Sequence, residues 1–269
     1  MDFEQIRKID DEFRRVEATY EIFNEDTRLN GSQAARVEFL TTVRYIEKYL
    51  QEGMKILDIG AGAGEYSLYF AKRNFSVDAL ELSESNIRAF EKKIRNDMEL
   101  KLIKGNAINL SMYQDSSFDA VLLLGPLYHI ENMEYRNLCL SEAKRVLKPE
   151  GKLFVSFISN DMVILTEFSY RNDFFTDDSY DHESFKVKNF PFVFYTVEEC
   201  REILAGAGLS TLHEIASDGV SELLEDKINT LDKKSYDQYL KYHYHICEKP
   251  EMIGRSNHLL YVTAKSSMK

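Results

Sequence analysis

The sequence is short of several things, and each shortage removes a class of protein. Only three cysteines occur in 269 residues, Cys139, Cys200 and Cys247. They are too few and too scattered for a disulfide framework, which agrees with a reducing compartment. No apolar run approaches the length needed to cross a bilayer, and the N-terminal residues are charged rather than signal-like, so a soluble, cytoplasmic protein is expected. Positive charge is in deficit: 34 Lys and Arg against 45 Asp and Glu leave a formal net charge of −11. A broad nucleic-acid surface needs clustered Lys and Arg, so this balance argues against one and favours a small-molecule partner. Internal repeats and low-complexity linkers are lacking too. With 44% hydrophobic residues the chain can bury an ample core, and its length suits one large α/β unit with elaborations.

What is present is organised around residues 54–67. Ile56, Leu57 and Ile59 form an apolar run broken only by Asp58, and Gly60, Gly62 and Gly64 follow in alternation. From Tyr66 the spacing turns helical, through Tyr69 and Phe70. A buried strand, a tight glycine turn and a helix start open a nucleotide-binding α/β unit. A dinucleotide fingerprint, G-x-G-x-x-G, would place its third glycine at position 65, where Glu65 stands. Here it comes one residue earlier, at Gly64. Ser76–Glu81 reads as a second strand ending in an acid, 21 positions after Gly60. A carboxylate there accepts ribose hydroxyls, which supports an adenosine-type ligand without choosing among cofactor classes. A third strand, Leu100–Ile103, runs into Asn106 and Ala107.

The D-x-G-x-G-x-G pattern from Asp58 to Gly64 resembles motif I of the class I S-adenosylmethionine (SAM) dependent methyltransferases. Phe118–His129 resembles the FD-hydrophobic-GPLYH signature of a bacterial subfamily of that family, and "RVLKPEGKL" at Arg145–Leu153 is similar to a further family pattern. The resemblance covers residues 54–158, in the right order. It implies a Rossmann-like α/β fold with a seven-stranded, mainly parallel sheet and helices on both faces. It implies SAM as cofactor, S-adenosylhomocysteine as product and methyl transfer to a small acceptor. Asp58, Gly60, Ala61 and Gly62 would then line the methionine side, Glu81 the ribose, with Leu82 and Asn86 as further adenosine contacts. Asn106 and Ala107 would meet the adenine, and Leu124 and Tyr128 would bound the cofactor near its methyl. Methyl transfer from a sulfonium needs alignment and exclusion of water more than any fixed catalytic residue. Tyr128 and His129 leave the fourth strand beside the expected methyl. His129 is either a base for a hydroxyl or amine acceptor or a structural hydrogen-bond partner. Asp119, at the strand's other end, reads as structural.

The flanks are less specific. Phe3, Ile6, Ile9, Phe13, Val16, Tyr20 and Phe23 recur at helical spacing as one amphipathic helix, either packing or, as in related methyltransferases, closing over the cofactor. Arg28 at its exit is either a partner for the SAM carboxylate or a solvated surface charge. A second helix is expected from Gly31 to Leu50. Ser83 reads as an N-cap, Thr196 with Glu199 as a capping box, and Asn132–Leu147 as a helix. Ser210–Ala216 and His258–Ala264 should complete the sheet. The expected division of a single domain, 1–269, is N-terminal helices (1–50), cofactor-binding core (51–159), an acidic and aromatic insertion (160–194) and a C-terminal part (195–269) with a helical insert at about 219–250. The first insertion, through Asp177 and Asp178, is either a lid that attracts an amine or a solvated loop. Tyr242–Cys247 invites a metal reading, but His243 and His245 fall on different helix faces, and no metal is expected. Residues 247–266 faintly resemble transfer-RNA wobble-uridine carboxyl methyltransferases, against which the acidic charge counts. The rivals are an NAD(P)-dependent oxidoreductase, disfavoured by the glycine spacing, and a SAM-binding regulator without catalysis.

Overall fold

The computed structural model describes residues 1–23 and 25–266; Asn24 and 267–269, at the end of the expected 1–269 unit, lie outside them. In chain order the elements are α1 (Phe3–Arg7), α2 (Glu12–Ile22), α3 (Ala35–Glu47), β1 (Lys55–Ile59), α4 (Glu65–Ala71), β2 (Ser76–Glu81), α5 (Glu84–Glu91), β3 (Leu100–Lys104) and β4 (Phe118–Leu123). There follow α6 (Met133–Val146), β5 (Leu147–Ser159), α7 (Asn160–Tyr170), β6 (Phe194–Tyr195), α8 (Val197–Gly206), β7 (Leu209–Ala216), α9 (Glu225–Ile228), α10 (Lys233–Ile246), α11 (Pro250–Ile253) and β8 (His258–Lys265).

The sheet runs β3-β2-β1-β4-β5-β8-β7, a Rossmann-like α/β arrangement. Strands β1 to β5 pair in parallel, whereas β8 lies antiparallel to both β5 and β7. Strand β1 is apolar on both faces because both are covered. Leu57 and Ile59 join Val121, Leu123 and Val155 in one core layer; Ile56 joins Ala120, Leu122 and Phe154 in the other. The two-residue period of the strand sorts them. Strand order reverses at β1, which has β2 on one side and β4 on the other. Their carboxyl ends leave a crevice there, the usual place for a ligand in such sheets.

Several expectations need correction. The sheet has eight strands rather than seven, because Phe194–Tyr195 pairs with Ile158–Ser159 at the end of β5. The N-terminal stripe forms two helices. Asp11 caps α2 by accepting from the backbone of Phe13 and Arg14, and so starts a new helix where the apolar spacing runs on. Helix α3 starts at Ala35, after a turn in which the Ser32 hydroxyl accepts from the Ala35 amide. The insertion opens with a regular helix, α7, capped by Ser159. Its consecutive apolar residues, Met162 to Leu165, hide the helical period. Ser83, and Thr196 with Glu199, cap α5 and α8 as read from the sequence, and Asn132, read as the first residue of its helix, caps α6. Among the described residues no helix is long and apolar enough to cross a membrane.

Candidate functional site

The glycine turn between β1 and α4 forms one wall. Gly60 and Ala61 donate their amides to the Leu80 carbonyl at 2.7 and 3.0 Å, hooking the turn over the end of β2. Gly60 has φ +70°, and a Cβ there would meet the Pro126 ring at 2.8 Å. Gly64, at φ +88°, abuts the Phe90 ring so closely that a Cβ would fall 2.3 Å from it. Only glycine holds this backbone in this space.

Two acids stand beside the turn. Asp58 is buried and accepts from the Ser67 hydroxyl at 2.7 Å. Burial pushes its carboxyl up to about 7; Ser67 opposes the rise and nearby Glu81 adds to it. Glu81 accepts from the amides of Gly62 and Ser83, both at 2.8 Å, and from Asn86 Nδ2 at 3.2 Å. Burial still raises its pKa against those three donors. A carboxylate offers about four acceptor positions, so one is left for a hydroxyl, and holding both hydroxyls of a ribose requires the long Asn86 bond to yield. The Asn106 side-chain oxygen is bonded to the Ile108 amide at 3.1 Å, which fixes the turn after β3.

The residues singled out in the sequence for the cofactor and the methyl position all adjoin one cleft. Arg28, Asp58, Gly60, Ala61 and Gly62 lie around one end, Glu81, Leu82, Asn86, Asn106 and Ala107 line the β2 and β3 side, and Leu124, Tyr128 and His129 come from the exit of β4. Phe13, Val16 and Tyr20 of α2, from the stripe read either as packing or as a cover over the cofactor, also line the cleft as its roof. Glu25 beyond α2 lines it too and was not singled out in the sequence.

Arg28 is not a solvated charge. Its guanidinium is bonded to Glu25 Oε1 and Glu38 Oε2, both at 2.8 Å, with about a quarter of the side chain exposed. Burial opposes its charge, but Glu38 and then Glu25 outweigh it and raise the pKa. His129 Nε2 lies 2.8 Å from the Tyr20 hydroxyl, and its Nδ1 is buried without a partner among the described residues. Burial, helped by Arg28, pushes His129 down to about 3, so it stays neutral. A ring so lowered is a weak proton acceptor, and its bond to Tyr20 matches the structural hydrogen-bond role that the sequence left open beside the base. The Tyr128 hydroxyl donates to the Leu124 carbonyl at 2.7 Å.

A second cavity, about 860 Å³, adjoins the cleft and shares Tyr20, Glu25, Arg28 and Tyr128 with it. Its far wall carries Glu222, which accepts from the Tyr170 hydroxyl at 3.0 Å and from Asn257. There His258 Nδ1 sits 2.9 Å from Asp218 and 3.4 Å from Glu38. Burial disfavours the imidazolium, but Glu38 and Asp218 prevail and push His258 up to about 9. Ligand atoms of Glu38, Asp218 and His258 lie within 4.8 Å of one another, as a cation site would require. The His258 proton and Arg28 already neutralise the two carboxylates. The candidate metal group at Tyr242–Cys247 does not assemble: His243 is buried, His245 exposed, and the Cys247 thiol packs 3.4 Å from the Tyr45 hydroxyl. Asp177 and Asp178 both line the second cavity, but Asp177 is paired with Arg171 at 2.5 Å.

Residues 57–155 match the family model described as a methyltransferase domain. The chain is 30% identical over 156 residues to the ubiquinone/menaquinone biosynthesis C-methyltransferase UbiE of Bordetella avium, covering 56% of this chain and 57% of that one. It is 28% identical over 135 residues to an uncharacterized protein, MJ0638, of Methanocaldococcus jannaschii, covering 50% and 52% respectively. The chain thus spans little more than half the length of these relatives. Among solved structures, the PH0226 protein of Pyrococcus horikoshii superposes with a TM-score of 0.60 at 22% identity, over 93% of this chain and 99% of that one. A 1,6-didemethyltoxoflavin-N1-methyltransferase of Burkholderia thailandensis, bound to S-adenosylhomocysteine, superposes with a TM-score of 0.54 at 14% identity, over 94% and 88%. At these identities the structural likenesses establish the fold.

Proposed function

We propose that this chain, which carries a class I SAM-dependent methyltransferase domain at residues 57–155, transfers the methyl group of SAM to a small molecule held in the second cavity. The observation that carries the reading is the shared wall: the cleft and the larger cavity meet at Tyr20, Glu25, Arg28 and Tyr128. The cleft fits the cofactor by its donor set and by a turn that a Cβ would obstruct. When bound there, SAM supplies an electrophilic methyl on a sulfonium.

Asp58 holds the cofactor's ammonium, a cation that returns this carboxyl to its ionised form. Glu81 takes the ribose, with Leu82 and Asn86 beside it, and Asn106 with Ala107 takes the adenine. Gly60, Ala61 and Gly62 present backbone to the methionine side. Arg28 reaches the cofactor's carboxylate only by sharing its guanidinium with Glu25 and Glu38. Leu124 and Tyr128 bound the methyl, and α2 closes the roof against water. We read the molecule as one domain, acting in the cytoplasm and belonging to the bacterial GPLYH subfamily.

The acceptor is a small molecule, a reading supported by the size of the cavity and by the toxoflavin methyltransferase among the fold's neighbours. An amine-bearing acceptor suits the aromatic and carboxylate wall, where Glu222, Glu225 and Asp178 have no ion-pair partner among the described residues. The test is calorimetric titration with S-adenosylhomocysteine, with NADH as control, followed by detection of S-adenosylhomocysteine formed from SAM with amine and hydroxyl acceptor pools. Binding of NADH alone favours the oxidoreductase. Binding of S-adenosylhomocysteine with no turnover on any pool favours the regulator.

A further inference from the structure

We infer that the Tyr20 hydroxyl is the polar group that meets the acceptor's N–H or O–H beside the transferring methyl, and that His129 is the positioning residue that aims it. This rests on the methyltransferase reading of the cleft. Four residues are common to the cleft and the larger cavity, and three are already engaged. Glu25 and Arg28 are bonded to each other at 2.8 Å, and the Tyr128 hydroxyl gives its hydrogen to a carbonyl of its own turn, that of Leu124, keeping only its oxygen lone pairs, so a larger loss in Tyr128→Phe than in Tyr20→Phe in the experiment below would overturn the inference. The Tyr20 hydroxyl has one partner among the described residues, His129 Nε2 at 2.8 Å. Tyr20 is fixed from behind as well, since the Ser85 hydroxyl donates to its carbonyl at 2.6 Å.

The His129 ring makes no second hydrogen bond among the described residues, because its Nδ1 is buried and unpartnered. A neutral imidazole carries one N–H, and both tautomers lead to the same result. If Tyr20 donates to Nε2, its oxygen keeps two lone pairs. If Nε2–H donates to Tyr20, the oxygen keeps one lone pair and its own hydrogen. In either case an acceptor N–H or O–H donates to the Tyr20 oxygen and leaves its nucleophilic lone pair free for the methyl carbon. The new nitrogen–carbon or oxygen–carbon bond forms as the carbon–sulfur bond breaks, its electron pair returning to sulfur. The acceptor's proton leaves afterwards to water, so neither Tyr20 nor His129 has to retain it.

The acceptor is unidentified, so the probe is sinefungin, a SAM analogue that carries an amine-bearing carbon in place of the methylsulfonium. Its ammonium nitrogen stands at the place of the methyl carbon and turns N–H donors toward the side from which the acceptor attacks. Calorimetry on the full chain compares sinefungin with S-adenosylhomocysteine in the wild type, Tyr20→Phe, Tyr128→Phe, His129→Ala and His129→Asn. In the wild type sinefungin binds more tightly. Tyr20→Phe and His129→Ala lower the sinefungin preference by about tenfold, the size of one hydrogen bond to a charged group. His129→Asn, which can still bond the phenol, restores part of it. The preference is a ratio, so an effect on both ligands alike drops out of it, and retained binding of S-adenosylhomocysteine reports that each variant is folded. An unchanged preference in Tyr20→Phe overturns the inference. Failure of the wild type to bind S-adenosylhomocysteine overturns instead the reading of the cleft on which it rests.

Discussion

The cleft and the larger cavity share four residues but are built differently. The cleft wall is mostly backbone and strand ends: a glycine turn, the carboxyl ends of β1, β2 and β4, and two acids fixed by neighbours no more than 19 residues away. The larger cavity is walled by side chains from distant parts of the chain, with Arg7, Glu38, Phe190, Glu222 and His258 all facing it. Its polar centre is a chain of ion pairs, Arg28–Glu38–His258–Asp218, closed across more than 200 residues. A cofactor that never changes suits a rigid backbone cradle. An acceptor that differs between relatives suits a wall of replaceable side chains.

If that contrast is right, the largest stability loss comes from the larger cavity. Asp218→Ala leaves the buried His258 charge without its nearest partner and should cost about 3–5 kcal/mol in urea unfolding. Its pH signature follows from the raised pKa of His258. The native state holds this proton more tightly than the unfolded chain, so the stabilisation is complete below about 6.5, the ordinary histidine value, and is lost as pH rises through about 9. The slope across that window should shrink in Asp218→Ala; an unchanged slope would mean that Asp218 does not hold the proton.

Next in size is a binding effect confined to the cleft. Asp58→Asn removes the carboxylate opposite the cofactor's ammonium and should weaken S-adenosylhomocysteine by about 10- to 100-fold, the range for a hydrogen bond to a charged group. Because Asp58 titrates near 7, wild-type affinity should fall as pH drops from 8 to 6, with a proton released on binding in that interval. The asparagine variant should show a flat profile. The same raised carboxyl makes the unliganded fold lose stability as pH rises from about 4 through 7, a window below that of His258. The smallest effect is expected at the rim of the cavity. Arg171→Ala breaks an ion pair with Asp177 that is partly exposed, at about 0.2–1 kcal/mol. A loss as large as that of Asp218→Ala would erase the distinction between rim and centre.

The same contrast explains what could be read from the sequence. Asp58 to Gly64, Glu81 and Asn106 stand at strand ends, where residue type, spacing and position are set locally. Their arrival around one cleft follows once β1, β2 and β3 are recognised. Caps such as Ser83 and Thr196 were legible for the same reason, each acting three residues along the chain. The pairing of Tyr20 with His129 spans 109 residues, and no periodicity reports it. Arg28 stayed open between a cofactor contact and a solvated charge because its partner Glu38 lies on the next helix, across a turn that local pattern does not orient. The break between α1 and α2 was missed because the apolar stripe continues through it, while Asp11 decides where the second helix begins. Strand β6 is two residues of an irregular segment drawn against β5, a tertiary contact with no sequence period at all.

The measurement that tests the central claim most directly is calorimetric titration of the purified chain with S-adenosylhomocysteine and, separately, with NADH, repeated on Asp58→Asn. A cleft built for SAM binds the first ligand, ignores the second and loses about 10- to 100-fold in affinity on the substitution. Binding of NADH, or binding of S-adenosylhomocysteine that Asp58→Asn leaves unchanged, would contradict the account.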